Sequence, residues 1–275
     1  MSWRTGCERT AVSRWGPLES TLRELRSRGR PLLVPYLTGG LGADWAAAVE
    51  EASAAGADAI EIGLPFSDPI MDGPVIQQAS QRALAAGATP DSILAGLAGA
   101  DVACPLATMS YYNTVYRAGH ERFAARLAAA GVSGAIVPDL PLVESGPWRA
   151  TAAAEGVETV LLAAPTTPDR TLTSICELSR GFVYAVGVLG VTGNREELAA
   201  SATVLAARCK AVTDRPVLIG VGVSTPGQAV QACSEADGVV VGTSVVRAMM
   251  DGGPAAVGEV VASFRAALDE AAVAH

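Results

Sequence analysis

The chain has 275 residues, which fits one α/β barrel of about 250 residues better than two domains of average size. Half of the residues are hydrophobic and 17% are charged, a composition that excludes a disordered protein. The net charge is −8, with no basic stripe and no apolar run of about 18 residues, which argues against a general nucleic-acid binder and a membrane-spanning protein.

The first predicted element is a short helix from Pro17 to Arg28. Residues 1–16 before it are expected to form a loose segment. They carry Arg4, Arg9 and Arg14 but no continuous apolar stretch after them. The segment therefore does not have the pattern of a secretory signal.

About eight short apolar runs then alternate with stretches of helical period. The predicted strands are 32–37, 59–63, 105–109, 134–137, 159–163, 182–186, 217–220 and 238–241, and the predicted helices are 44–55, 75–86, 121–130, 148–155, 196–210, 226–232 and 255–271. Buried parallel strands are continuously apolar, and each gap leaves room for a helix. We therefore predict an α/β fold: a single (β/α)8 TIM barrel with a short N-terminal helix, forming one domain over residues 1–275.

A doubly wound open sheet is the alternative fold. Its first strand would lead into a glycine-rich dinucleotide-binding loop. Here the first strand leads into Thr38-Gly39-Gly40, which lacks the remaining glycine spacing. The barrel is therefore favoured, and its chemistry is expected where the strands end and the βα loops begin.

Two residue types that often serve in catalysis are scarce. His120 and His275 are the only histidines, and Lys210, in a predicted helix, is the only lysine. A Ser-His-Asp triad, a histidine-rich zinc site and a Schiff-base lysine are therefore not expected, and we predict no metal and no cofactor in this chain. The five cysteines show no metal-binding or redox spacing, which predicts reduced thiols and a cytoplasmic location.

The strongest acid–base candidates lie on and after the second strand. Glu61 is a charge inside an otherwise apolar strand. If it faces inward, the loss of hydration raises its pKa towards neutrality, whereas an outward Glu61 would pair with an arginine or with solvent. The loop from Leu64 to Pro74 contains three prolines and carries Asp68 and Asp72. Each aspartate is either a fixed carboxylate over the barrel mouth or a turn or capping residue.

The run Gly56–Gln77 resembles the signature of the tryptophan synthase alpha subunit family. It reads GADAIEIGLPFSDPIMDGPVIQ, and the likeness extends from Val34-Pro35-Tyr36 to the loop at Gly242. In that family the glutamate of this strand and the second aspartate of this loop form the catalytic pair. The resemblance therefore implies that Glu61 and Asp72 are catalytic.

Glycine-rich loops follow the last three predicted strands. Gly190-Val191-Thr192-Gly193 resembles the family's mobile loop over the site, although a plain connection explains it as well. The seventh and eighth strands lead into the loops where barrels commonly bind phosphate through backbone N–H groups. The resemblance implies substrate binding at these loops by Thr192, Gly193, Gly222, Gly242 and Thr243.

The resemblance implies a lyase of tryptophan biosynthesis that splits indole-3-glycerol phosphate into indole and glyceraldehyde 3-phosphate. Without an imine lysine or a metal, the indole ring itself must accept the bonding electrons after protonation at C3. Asp72 would stabilise the positive ring near its N–H, and Glu61 would transfer protons. The predicted apolar slot for the ring consists of Tyr36, Phe66, Met109, Leu162 and Tyr184. Each of these is equally well explained as a core residue.

The family passes indole to a pyridoxal-phosphate beta subunit within an α2β2 heterotetramer. The loop 65–74 and the segment Val137–Pro141 lie where the family meets that partner. Asp68 and Asp139 are therefore predicted interface residues. A turn residue is an equally good explanation of Asp139.

Two places depart from the family's pattern. Leu41-Gly42 stands where the family usually has Asp-Pro, and Gly187, Val188 and Leu189 precede the glycine loop where serine and a polar or basic residue are common. These changes bear on lid closure and partner activation more than on the carboxylates. The alternatives are a stand-alone lyase that releases free indole for secondary metabolism, a phosphosugar isomerase barrel, and an idle barrel that only binds a partner.

Overall fold

The computed structural model describes residues 15–187, 195–220 and 222–273, without the side chains of 195–200. The strands within these ranges are β1 (Leu32–Thr38), β2 (Ile60–Gly63), β3 (Leu106–Met109), β4 (Val132–Ile136), β5 (Glu158–Ala163), β6 (Val183–Ala185), β7 (Val217–Ile219) and β8 (Gly238–Val241). The helices are α1 (Pro17–Ser27), α2 (Trp45–Ala54), α3 (Pro74–Ala85), α4 (Pro90–Ala98), α5 (Tyr112–Ala118), α6 (His120–Ala129), α7 (Gly146–Ala154), α8 (Asp169–Leu178), α9 (Arg195–Lys210), α10 (Pro226–Ala232) and α11 (Thr243–Val273).

The strands form a closed parallel barrel in the order β1 to β8, and β8 pairs with β1. The predicted (β/α)8 barrel is thus confirmed. In the register, Tyr36 of β1 lies beside Glu61 of β2, which lies beside Ala107 of β3. Since residues in register point to the same side of a sheet, this pairing brings Tyr36 and Glu61 to one wall of the barrel.

The structure contains helices that the sequence analysis did not predict. They are α4, α5 and α8. Helix α4 begins at Pro90, after a capping box in which Thr89 and Ser92 each bond to the other's backbone N–H. The last helix starts at Thr243 rather than at residue 255, and it is broken at Gly253, where φ is 71°. That left-handed residue and Pro254 explain why the helical pattern looks shorter from the sequence.

Helix α1 closes the N-terminal end of the barrel. The side chain of Leu18 fills the space above Gly134, where a Cβ atom would lie 2.6 Å from Leu18 Cδ2. The buried carboxylate of Glu158, at the start of β5, accepts the backbone N–H groups of Leu18 and Glu19 at 2.7 and 3.0 Å. A distant strand residue thus caps the first turn of α1 and fixes the helix against the barrel. Among the described helices, none combines the length and apolar character needed to span a membrane.

Candidate active site

A cavity of about 260 Å³ opens where the strands end. Its position is the one that (β/α)8 barrels use for active sites. The residues that line it are Tyr36, Glu61, Met71, Asp72, Gly73, Ile76, Met109, Pro138, Leu162, Tyr184, Val186, Gly220, Gly222, Val223, Val240, Gly242 and Thr243. The walls therefore combine two carboxylates and two tyrosines with an apolar middle and a glycine-rich end.

Glu61 is fully buried on β2 and contributes its carboxylate to the cavity wall. Neither carboxylate oxygen has a hydrogen-bond partner of regular geometry among the described residues. Burial and, to a smaller extent, the charge of Asp72 raise the pKa of Glu61 to about 8, although the nearby Tyr184 hydroxyl opposes part of the rise. Glu61 is therefore mostly a neutral acid at pH 7, which can donate a proton and then accept one.

Asp72 faces the same cavity from the loop between β2 and α3. It is half-buried, and this burial raises the pKa of its carboxyl group, while the Tyr111 hydroxyl lowers it. Its backbone carbonyl accepts a hydrogen bond from Gln77 Nε2 at 2.8 Å. Gln77 thus fixes the backbone of the loop at the residue that presents the second carboxylate to the cavity.

Two glycines leave room for the two cavity tyrosines. A Cβ atom on Gly63 would lie 1.8 Å from Tyr36 Oη, and one on Gly220 would lie 1.8 Å from Tyr184 Cε2. Both tyrosines are buried, and burial raises the pKa of both hydroxyl groups. Each ring therefore occupies the space that a side chain would fill at the end of another strand.

The far end of the cavity is formed by the residues that follow β7 and β8. Gly222 has φ of 88°, a left-handed backbone that favours glycine, and its missing Cβ faces open space. Gly242 and Thr243 stand at the start of α11. The N-terminus of a helix offers unpaired backbone N–H groups and a partial positive charge, which together suit an oxyanion such as phosphate.

The structure brings most, but not all, of the predicted site residues together. Phe66 does not line the cavity; its ring stacks on Tyr111 with centroids 5.1 Å apart, because the loop turns it towards α5. Thr192 and Gly193 lie outside the described residues, as do Val188 and Leu189.

The two predicted interface aspartates lie outside the cavity. Asp68 is exposed on the loop after β2. Asp139 is half-buried, and its Oδ1 accepts the backbone N–H of Tyr112 at 2.8 Å, so it holds the start of α5. Among the described residues, no cluster of three or more metal-binding side chains occurs.

Several lining residues were not predicted from the sequence. They are Met71, Gly73, Ile76, Pro138, Val186, Gly220, Val223 and Val240. Met71 and Gly73 flank Asp72, and Ile76 lies in the first turn of α3, so closeness to Asp72 along the chain is the signal that could have identified these three. Val186, directly after β6, and Val240, within β8, carry no such signal, because an apolar residue in or beside a barrel strand is ordinarily core.

Comparison with known proteins identifies the family. The sequence profile of the tryptophan synthase alpha chain matches residues 22–271. This chain belongs to the tryptophan synthase alpha chain family. It is 45% identical to the tryptophan synthase alpha chain of Thermobifida fusca, over 85% of this chain and 89% of that one. It is 43% identical to that of Streptomyces coelicolor, over 85% and 88% of the two chains.

Solved structures of this family share the fold. Tryptophan synthase from M. tuberculosis in an aminoacrylate-bound form gives a TM-score of 0.82 at 34% identity, over 92% of this chain and 99% of that one. Tryptophan synthase subunit alpha from Legionella pneumophila gives 0.84 at 30% identity, over 93% and 99%. The chain is therefore a carbon–carbon lyase of tryptophan biosynthesis, and the alternative of a stand-alone lyase for secondary metabolism is not favoured.

Proposed function

We propose that Glu61 and Asp72 cleave indole-3-glycerol phosphate by a retro-aldol reaction in this cavity. The observation that carries the proposal is a buried, neutral glutamic acid that lines the same cavity as a second carboxylate. The substrate phosphate binds between Gly222, after β7, and Gly242 and Thr243, at the start of α11. The indole ring then lies among the aromatic and apolar residues nearer the barrel floor.

The reaction begins with proton transfer from Glu61 to C3 of the indole ring. This forms a positively charged ring, and the carboxylate of Asp72 stabilises it by accepting the ring N–H. The Glu61 carboxylate then removes the proton of the glycerol hydroxyl at the reacting carbon. The bond between C3 and that carbon breaks, its electrons restore the indole ring, and the hydroxyl carbon becomes the aldehyde. Glu61 ends protonated, as it began.

An indole-release assay on the purified chain tests this proposal. With indole-3-glycerol phosphate as substrate, Glu61→Gln should lower kcat by at least about a hundredfold, because the amide keeps the shape but transfers no proton. Asp72→Asn should lower kcat by a similar factor, because the amide carries no charge to stabilise the positive indole ring. The matched control is Asp68→Asn, which neutralises an exposed carboxylate of the same loop and should leave indole release unchanged. Indole release by Glu61→Gln at the wild-type rate would refute the mechanism.

We also propose that a pyridoxal-phosphate beta subunit receives the indole, in an α2β2 heterotetramer, and that this chain itself needs no cofactor or metal. The support is an exposed aliphatic side chain on each of two βα loops at the open barrel end. Ile70, after β2, and Val143, after β4, are 83% and 91% exposed. Asp68 lies close to Ile70 in sequence, and Asp139 precedes Val143 on its loop. Exposed aliphatic side chains bordered by carboxylates are typical of a protein interface.

A cytoplasmic location belongs to the same proposal. Cys104, Cys176, Cys209 and Cys233 are all free thiols, and Cys176 and Cys209 are fully buried. Reduced thiols are the ordinary state of cysteine in the cytoplasm. Fractionation of cells that produce the chain, with detection by an antibody, measures its location directly; recovery outside the cytoplasmic fraction would contradict the proposal.

A further inference from the structure

Tyr111 lies next to the cavity without lining it. It follows β3, immediately precedes α5 and is buried. Its hydroxyl accepts the backbone N–H of Met71 at 2.9 Å. Met71 precedes Asp72 in the loop, so the hydroxyl holds the backbone at the point where the second carboxylate enters the cavity.

The ring of Tyr111 holds the other end of the same loop. It stacks on Phe66 with centroids 5.1 Å apart and an interplanar angle of 25°. Between these two contacts, Ser67, Asp68 and Ile70 are exposed and pack against little. One buried side chain thus fixes both ends of an otherwise exposed segment, and such a fixed loop keeps a carboxylate at a defined place.

Gln77 holds the loop from the opposite side. Its Nε2 donates to the backbone carbonyl of Asp72 at 2.8 Å. The residue before Asp72 is therefore bonded to Tyr111, and Asp72 itself is bonded to α3. These two bonds fix the backbone on both sides of the Asp72 side chain, so the loop cannot carry the carboxylate away from the cavity unless one of them breaks.

The Tyr111 hydroxyl also acts on the charge of Asp72. The hydroxyl oxygen accepts the backbone N–H of Met71, so its own proton is available for donation to the Asp72 carboxylate. A hydrogen bond from Tyr111 to this carboxylate lowers the pKa of Asp72, whereas burial raises it. The other titratable groups that face Asp72 are Glu61 from β2, Tyr36 from β1 and Tyr184 from β6. An ionised Asp72 is the form that stabilises a positive indole ring.

We propose that Tyr111 is a positioning residue that fixes the loop between β2 and α3 and holds the Asp72 carboxylate at the cavity. The inference rests on the function proposed above for Glu61 and Asp72. It extends that function to a buried tyrosine that does not line the cavity and acts through Asp72. Removal of its hydroxyl should leave the ring stack on Phe66 intact while it frees the loop at Met71.

Tyr111→Phe tests the proposal, with Tyr112→Phe as the matched control. The Tyr112 hydroxyl lies 3.1 Å from His120 Nε2, away from the cavity, so this variant loses a neighbouring tyrosine contact without touching the loop. We expect Tyr111→Phe to lower kcat about tenfold with KM changed less than about twofold. The acid limb of the kcat–pH profile should move to higher pH, because Asp72 is then harder to ionise. Tyr112→Phe should match the wild type in each respect.

A second measurement does not depend on turnover. The carboxyl carbon-13 signal of Asp72, assigned by its loss in Asp72→Asn, should titrate at higher pH in Tyr111→Phe than in the wild type. An unchanged Asp72 titration in Tyr111→Phe would overturn the inference, and so would equal effects of the two phenylalanine variants. If the wild-type chain releases no indole, the proposed function fails, and the carbon-13 titration alone then decides for or against the role of Tyr111.

Discussion

The charge of Asp72 raises the pKa of Glu61, and the two carboxyl groups line the same cavity. Burial of Glu61 is the larger cause, and the like charge adds to it. Two carboxyl groups that share a poorly hydrated cavity do not both ionise readily. Near pH 7 the pair therefore holds one proton on Glu61, ready for transfer, while Asp72 carries the charge.

The pH dependence of stability should report the buried acid directly. The folded pKa of Glu61 is raised to about 8 from 4.5, so its contribution to stability is fully present below pH 4.5 and is lost as the pH rises through 8. The free energy of unfolding should therefore fall between about pH 5 and 9, by a few kcal/mol. The free energy of unfolding of Glu61→Gln, measured by urea titration, should fall less steeply across this pH range.

A second buried acid, Glu158, also contributes to the pH dependence of stability and must be distinguished from Glu61. Burial raises its pKa to about 7, which adds a slope of the same sign. Both chains retain Glu158, so the difference between wild type and Glu61→Gln isolates Glu61. Parallel stability curves for the two chains would show that Glu61 ionises freely in the folded state, contrary to this prediction.

Gly63→Ala should damage the cavity rather than the barrel. The new methyl group would overlap Tyr36 Oη, Cζ and Cε2, at 1.8, 2.4 and 2.8 Å, so the ring must leave its place. We expect indole release to fall at least about tenfold. In the Gly63→Ala background, Tyr36→Ala should cost less than it does alone, which a double-mutant cycle measures. The control Gly227→Ala, where no atom lies within 4 Å, should retain full activity; a loss there equal to that of Gly63→Ala would contradict the steric explanation.

Thr243→Val should weaken phosphate binding. If the hydroxyl at the start of α11 donates to the substrate phosphate, its loss should raise KM about tenfold, which corresponds to a charge-assisted hydrogen bond. Ser244→Ala is the control, because the neighbouring Ser244 hydroxyl is buried off the cavity wall. Isothermal calorimetry with glycerol 3-phosphate measures the same loss without turnover. Equal affinities for wild type and Thr243→Val would remove Thr243 from the phosphate site.

Ile70→Asp should separate partner binding from chemistry. Ile70 is 83% exposed and does not line the cavity, so a charge there should not change the indole release of the isolated chain. Desolvating that charge at an interface should weaken binding to a beta subunit by at least about tenfold. Stimulation of indole release on titration with a beta subunit gives the measurement. Val212→Asp, an exposed valine before β7, is the control. Unaltered stimulation of Ile70→Asp would place the interface elsewhere.

Much of the fold and the centre of the site could be predicted from local patterns. Glu61 is recognisable because a single charge interrupts an apolar strand, and a parallel barrel leaves such a charge few places except its interior. The glycine loops before α10 and α11 are likewise recognisable from their place after the last two strands. These features depend on nearest neighbours along the chain, which a sequence displays.

The contacts that the sequence could not show are those between distant segments. The overlap of Tyr36 with Gly63 depends on the register of β1 and β2, and the bond from Met71 to Tyr111 joins two separate βα loops. The sequence analysis placed Phe66 in the ring slot because the sequence shows that the residue is aromatic. It does not show the direction of the ring, which is set by the contact with Tyr111 on another loop. Helix α5 was missed because its seven residues are too few for a helical period to stand out and no capping side chain marks its start. Helix α10 has the same length, but Thr225 and Pro226 mark where it begins.

The pairing of β1 with β8 sets when the enzyme can first work during its synthesis. Tyr36 is made early and Gly242 late, yet a Cβ atom on Gly242 would lie 3.6 Å from Tyr36 Cβ. The pocket therefore has no complete wall until the ribosome has released almost the entire polypeptide. A nascent chain halted before β8 would expose the apolar edges of β1 and β7. It would also lack the phosphate-binding residues Gly242 and Thr243. Chaperone binding should therefore be greatest just before the barrel closes.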